Sequence, residues 1–153
     1  MLSDQNNINR SDKWDERLAA ASDITCDLVL EIVERECTRV QGGGLPAISR
    51  IRKLIDCGAW TDLALALVQF ELPAWRLRRL VYDGGEWQCA ISRHPDVPVE
   101  IDDCADARHA ILPLAILSAF IQARRLSRRP LGIPTVPRSK APCSEPMCCD
   151  NFA

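Results

Sequence analysis

Three thiols stand close together near the C-terminus: Cys143, Cys148 and Cys149, beside Met147 and the terminal carboxylate. Thiolates are soft ligands that suit copper(I) or zinc, and exposed neighbouring thiols can also work as a redox pair. The set is thin for either task. Adjacent cysteines chelate poorly on their own, and the tail lacks a complete tetrahedral ligand set. The expectation is therefore no cofactor, with zinc or copper at Cys143, Cys148 and Cys149 as the alternative. Phe152, close behind them, reads as the centre of a short docking motif. The other cysteines, Cys26, Cys37, Cys57, Cys89 and Cys104, fall at no metal-ligand spacing, and no CxxC occurs. They read as small buried apolar side chains kept reduced.

A second cluster lies at Asp102, Asp103 and Asp106, with Cys104, His94 and His109 nearby. Converging carboxylates and imidazoles serve proton transfer or metal binding. Here the spacing matches no known ligand pattern, and nothing resembles a nucleophile–base–acid triad. The simpler reading is a solvated acidic loop, with Asp103 or Asp106 capping the helix that follows.

The third group is the arginines of Trp75 to Arg93, WRLRRLVYDGGEWQCAISR. Asp83-Gly84-Gly85 is a turn signal between two runs rich in Trp, Val, Leu and Ile, which predicts a β-hairpin. With all three residues in the loop and Gly85 at a left-handed bulge position, Tyr82 opposes Glu86 and Val81 opposes Trp87. One face then carries Trp75, Leu77, Val81, Trp87, Cys89 and Ile91. The other carries Arg76, Arg78, Tyr82, Glu86, Gln88 and Ser92, with Leu80 the aliphatic exception. A two-residue loop would mix the faces. Arg76, Arg78 and Tyr82, together with Phe152, are the expected interaction residues. Arg79 falls on the apolar face and is expected to snorkel past the sheet edge or to pair with a carboxylate such as Asp102 or Asp103.

These groups need elements to hold them. Trp14, Leu18 and Ala21, then, past a candidate cap at Ser22-Asp23 for a second segment, Ile24, Leu28, Ile32, Val33 and Cys37, recur at three- and four-residue spacing and predict an N-terminal helical arm over about 12–40. Gly42, Gly43 and Gly44 read as a flexible joint on which that arm swings. A phosphate-binding loop would need a following Gly-Lys-Ser/Thr, which Leu45-Pro46-Ala47 does not supply. Helices are predicted at 46–57 and 60–71, the second apolar all round and therefore buried. That burial disfavours a DNA-reading helix-turn-helix, whose second helix must present polar groups to base edges. Val99-Glu100-Ile101 reads as a short edge strand after Pro98. Pro113 should open a last helix over 113–127 with Ile116, Leu117, Phe120 and Ile121 inward. Beyond it, Pro130, Pro134, Pro137, Pro142 and Pro146 mark a disordered tail over 128–153.

Composition bounds the class. The chain has 153 residues, 47% apolar and 26% charged, at a formal net charge of -2. That fits one α+β domain, mostly helical, with a small antiparallel sheet: arm 1–41, glycine linker 42–45, core 46–127 and tail 128–153. No stretch is strongly basic, so nucleic acid is not an expected partner. No apolar run is long enough to span a bilayer, so no membrane is expected either. The polar N-terminus has no apolar signal core, and the expected setting is cytoplasmic.

GGLPAISRIRKLIDCGAWTDLALALVQFELPAWRLRRLVYDGGEWQCAISR, then LPLAILSAFIQARR, then the terminal CCDNFA, resembles small uncharacterised proteins of rhizobium-like soil bacteria. The likeness covers about 43–126 and the last six residues. It implies a bacterial, cytoplasmic setting and no particular activity. The residues themselves, with no nucleophile–base pair, no cofactor motif, only two histidines, an amphipathic N-terminal arm and an Arg-rich hairpin face, set the expectation of a non-catalytic interaction or regulatory protein, acting on a protein partner or as a homodimer. The alternative is a thiol-based redox or soft-metal-responsive protein acting through the C-terminal cysteines.

Overall fold

The structure, a computed structural model, describes residues 13–128. The expected tail thiols and Phe152 lie outside the described residues. The chain runs α1 (13–20), α2 (Cys26–Glu36), α3 (Thr38–Gly42), α4 (Leu45–Asp56), α5 (Trp60–Glu71), β1 (Arg76–Asp83), β2 (Glu86–Ser92), a 3-10 turn (Val99–Ile101), β3 (Cys104–His109) and α6 (Leu112–Arg128). The α+β class holds, mostly helical with an antiparallel sheet in the order β1-β2-β3.

The predicted helical arm over 12–40 is three helices, with the first break around the candidate cap at Ser22-Asp23. Thr25 caps α2, its hydroxyl accepting the Leu28 N–H, and so begins a new helix rather than continuing the first. At Cys37 the backbone leaves helical geometry before α3 resumes. Gly42 ends α3 and Leu45 already starts α4, so the glycine joint is short. Residues of the N-terminal stretch share the buried core with the rest of the chain. Trp14, Leu18, Val29 and Ile32 pack in the same cluster as Leu67, Phe120 and Ile91.

The two later helices follow from their residue patterns. In α5, Leu63, Ala64, Ala66, Leu67 and Val68 are all buried, as an all-round apolar helix requires. In α6, Pro113 sits in the first turn, where its missing N–H costs nothing, and Leu114 to Leu117, Ala119 and Phe120 are buried. α6 touches β2, β3 and α5, so it is the wedge between sheet and helices. Its alanines Ala115, Ala119 and Ala123 let neighbouring backbones approach.

The sheet corrects two sequence expectations. First, the hairpin loop has two residues. Asp83 pairs with Glu86 and Tyr82 with Trp87, around Gly84 and Gly85 at φ 59° and 89°. Two successive left-handed glycines make the tight turn whose twist matches a hairpin. The mixing of faces that a two-residue loop should cause is absorbed by a β-bulge. Leu77 pairs with Ile91 and Arg79 with Ala90, leaving Arg78 as the extra residue. Leu77, Leu80 and Tyr82 thus share a face with Trp87, Cys89 and Ile91, while Val81 and Arg79 move to the opposite face. Second, Val99-Glu100-Ile101 is a 3-10 turn, not a strand. The third strand is Cys104–His109, the stretch expected to be an acidic loop with a helix cap. Its alternation places Ala105, Ala107 and His109 inward and Asp106 and Arg108 outward.

Candidate functional site

β1 is an outer strand of the sheet, and α6 packs chiefly against β2 and β3. The side chains of β1 are therefore left half open. Leu77 is 43% exposed, Val81 44% and Tyr82 58%. Tyr82 leans on Trp87 at 5.2 Å between ring centroids, tilted by 54°. That pair covers the end of the helix-side face nearest the turn.

The bulge divides the arginines between two environments. Arg78 turns into the loop between β2 and β3. Its Nη2 donates to the Val97 carbonyl at 3.0 Å, and its Nη1 lies 3.5 Å from Asp102 Oδ2. Arg79 lies opposite Ala90, away from Cys89, and meets Asp106 at 3.4 Å, with Gln88 also at 3.4 Å. The expected carboxylate partner is thus present, but it is Asp106. Arg76 is exposed, with no ion-pair partner among the described residues. Arg76, Arg78 and Tyr82 do not form one surface. Tyr82 faces the helix side, and Arg78 is committed to the loop.

Asp102 is the centre of the second candidate site. Its side chain is fully buried and accepts from the His94 backbone N–H at 3.1 Å, with the His94 ring Nδ1 at 3.3 Å. The buried Ser92 hydroxyl lies close enough to Asp102 to lower its carboxyl, though short of full hydrogen-bond geometry. Burial pushes the Asp102 carboxyl up. The Ser92 hydroxyl, the His94 backbone N–H and the His94 ring outweigh it, so the group stays below the ordinary carboxylate range. Ser, His and Asp do converge here, but with the wrong connectivity for an activated serine. In a triad the hydroxyl sits on the histidine's second nitrogen. Here serine and histidine both face the carboxylate. No hydroxyl or thiol among the described residues bonds to the His94 ring. The arrangement works as a latch, tying residues 93–103 to the Ser92 end of the sheet through Arg78 and Asp102.

His109, the other histidine, is far from this latch in role. It is buried, pairs across the sheet with Trp87, and its Nδ1 accepts the Ile111 N–H at 2.9 Å at the start of α6. Asp103 pairs with Arg93 at 3.6 Å and Asp106 with Arg79, so the acidic residues are spread along the sheet rather than gathered. Among the described residues, no three His, Cys, Asp or Glu side chains are placed to hold a metal ion. Among the same residues, no helix is long and apolar enough to cross a membrane.

The described thiols divide sharply. Cys37 is buried beside Glu71, and its thiol is pushed far up, chiefly by burial. Burial likewise pushes the Cys89 thiol up to about 12. A thiol is nucleophilic only as thiolate, so both are inert in the folded chain. Cys26 and Cys57 are exposed. Iodoacetamide labelling at neutral pH, read by peptide mass mapping, should modify Cys26 and Cys57 first. Cys37 and Cys89 should react only on unfolding, and their fast labelling in native buffer would contradict the buried placement.

Buried carboxylates were the residues that sequence reading missed. Glu71 accepts the Val40 N–H at 2.6 Å and pairs with Arg124 Nη1 at 2.9 Å. Glu36 accepts from the Trp14 indole and from Arg128, both at 3.1 Å. Both glutamates are structural ties between helices, and neither opens onto a surface. Compared with known proteins, the chain matches no family model, no curated protein and no solved structure.

Proposed function

We propose that this protein is a non-catalytic interaction or regulatory protein whose docking element is the free edge of β1. One observation carries the reading. A strand of eight residues forms the margin of the sheet, its outer side unpaired by any of the described residues, with Leu77, Val81 and Tyr82 each more than two-fifths exposed. Unsatisfied backbone N–H and C=O groups on such an edge are a template for another extended chain. Natural proteins guard these edges with charges and bulges. β1 has both at Arg76 to Arg79, and neither between Leu80 and Tyr82.

Two further features support the proposal. The buried, reduced thiols at Cys37 and Cys89 suit the cytoplasm, where such thiols persist. A net charge of -2 gives no general attraction to nucleic acid phosphates.

The test is the strand edge itself. Counting from the bonded pair Asp83–Glu86, Tyr82 directs its backbone N–H away from β2. Tyr82→Pro therefore removes an outward donor without removing a ladder bond. Immobilised full-length chain should lose at least about tenfold of its bound partner, whether a second copy or another protein, on this substitution. Equal capture by wild type and Tyr82→Pro, with circular dichroism unchanged, would overturn the docking reading.

A further inference from the structure

We propose that the occupant of the β1 edge is a second copy of this chain, paired antiparallel about Val81. This rests on the reading of β1 as the docking element and goes further by naming what docks and in which register.

Backbone geometry limits the registers. Asp83 and Glu86 flank a two-residue turn and form a hydrogen-bonded pair, so bonding toward β2 alternates back along β1. Asp83, Val81 and Arg79 direct their N–H and C=O groups to β2. Tyr82 and Leu80 direct theirs outward. The bulge at Arg78 ends the regular edge, leaving 79–83 as the flat segment. Two copies related by a twofold axis perpendicular to a continuous sheet must oppose residues of the same face. Within 79–83, centring on Val81 opposes Leu80 to the partner copy's Tyr82, and Tyr82 to the partner copy's Leu80. Those are the outward-bonding residues, so each pair exchanges backbone hydrogen bonds.

Side chains select this register and select a second copy as the occupant. Arg79 lies opposite the partner copy's Asp83, and Asp83 opposite the partner copy's Arg79. The strand is basic toward its start and acidic at its end, which is self-complementary only when antiparallel. Moving the axis to Leu80 would set Arg79 against valine and bring the bulge into the ladder. Moving it to Tyr82 would set Val81 against aspartate. Arg79 is free to rearrange, because its contacts to Asp106 and Gln88 are long, at 3.4 Å, and half exposed. On the helix-side face, the partner copy's Leu80 would cover the Tyr82 and Trp87 rings, and Tyr82 is 58% exposed in the single chain. On the other face, Val81, 44% exposed, would meet its own copy. The two sheets would join into one.

The experiment is sedimentation equilibrium on the full chain across a range of concentrations, with charge variants. Wild type should show a reversible monomer–dimer equilibrium. Arg79→Asp alone and Asp83→Arg alone each place like charges opposite one another on both sides of the axis, and each should weaken the dimer about tenfold or more. Mixed together, the two single variants restore both pairings, and a heterodimer should form at close to wild-type affinity. Tyr82→Pro should leave a monomer with an unchanged circular dichroism spectrum. A dimer indifferent to these variants would overturn the register. A chain that remains monomeric while Tyr82→Pro abolishes capture of a different protein would overturn self-pairing and leave the docking reading standing. A monomer whose capture of partners also ignores Tyr82→Pro would overturn both.

Discussion

Glu71→Ala should cost about 3–5 kcal/mol of folding stability, measured by equilibrium urea unfolding. The carboxylate is wholly buried at the end of α5 and joins two other helices. One oxygen accepts the Val40 N–H of α3 at 2.6 Å, and the other holds Arg124 of α6 at 2.9 Å. The Arg124 side chain is itself only 11% exposed. Cutting the carboxylate away leaves a backbone donor without an acceptor and a guanidinium without its counter-charge, both out of water. The loss is mainly the penalty of those orphaned groups, not the worth of the pair. That distinction gives the result its control. Replacing both members with apolar residues of similar size, as in Glu71→Leu with Arg124→Met, should recover the guanidinium's share of the loss and keep only the cost of the orphaned Val40 N–H, about 1–3 kcal/mol. Glu71→Gln should fall between, because an amide oxygen still serves the Val40 N–H. A loss below about 1 kcal/mol for Glu71→Ala, within the range of surface ion pairs, would show that the carboxylate is solvated. Against a typical domain stability of about 5–15 kcal/mol, the larger figure places the variant near the limit of folding.

The helices were legible because their signal is local. Ile48, Ile51, Leu54 and Ile55 repeat at helical spacing in α4, and the apolar run of α5 leaves no face for solvent. Pro46, Pro113 and Gly58 mark helix ends by steric rules that hold whatever the tertiary context. The hairpin was legible for the same reason, through its glycines. Its register was not. The choice between loop lengths turned on keeping faces unmixed, and the chain keeps them unmixed with a bulge at Arg78. What stabilises that bulge is Arg78 reaching Val97 and Asp102, residues far along the sequence. β3 was missed for a related reason. Cys104–His109 alternates correctly, but its inward residues include two alanines and its outward ones an aspartate, types depleted in strands. The strand exists because β2 offers it a ladder and α6 covers its alanines. Buried glutamates were invisible in principle. Nothing about Glu71 in the sequence distinguishes it from Asp62 or Gln69 on the same helix, and its partner Arg124 lies 53 residues away. Tyr82 and Arg76 are exposed on the edge strand, whereas the register error hid that Leu80 and Val81 belong to the same open segment.

Trp14→Ala should also cost about 3–5 kcal/mol, the range for removing a buried aromatic ring. Trp14 is 3% exposed although it lies within the first turn of α1. Its ring fills the cluster shared with Leu18 and Ile32, and the Arg17 guanidinium lies 4.7 Å from its centroid. Its indole N–H donates to Glu36 Oε1 at 3.1 Å, and Arg128 of α6 takes Glu36 Oε2 at 3.1 Å. Truncation therefore opens a cavity and also strips one hydrogen bond from a buried carboxylate that ties α2 to α6. Since α6 carries the sheet, the effect should travel. Hydrogen exchange on the β2 and β3 amides, packed against α6, should speed up by the same free energy as the global loss. That outcome requires residues 13–36 to unfold together with the sheet, as one cooperative unit. An arm that swings independently predicts the opposite, with exchange accelerated only in α1 and α2 and the sheet amides unchanged. Arg17→Gln separates packing from surface charge, because Arg17 sits at the half-exposed rim and its ring contact is worth only about 0.5–1 kcal/mol. A small effect there, beside a large and global one for Trp14→Ala, would place the weight on the indole and on Glu36, and hence on the joint between the N-terminal helices and α6.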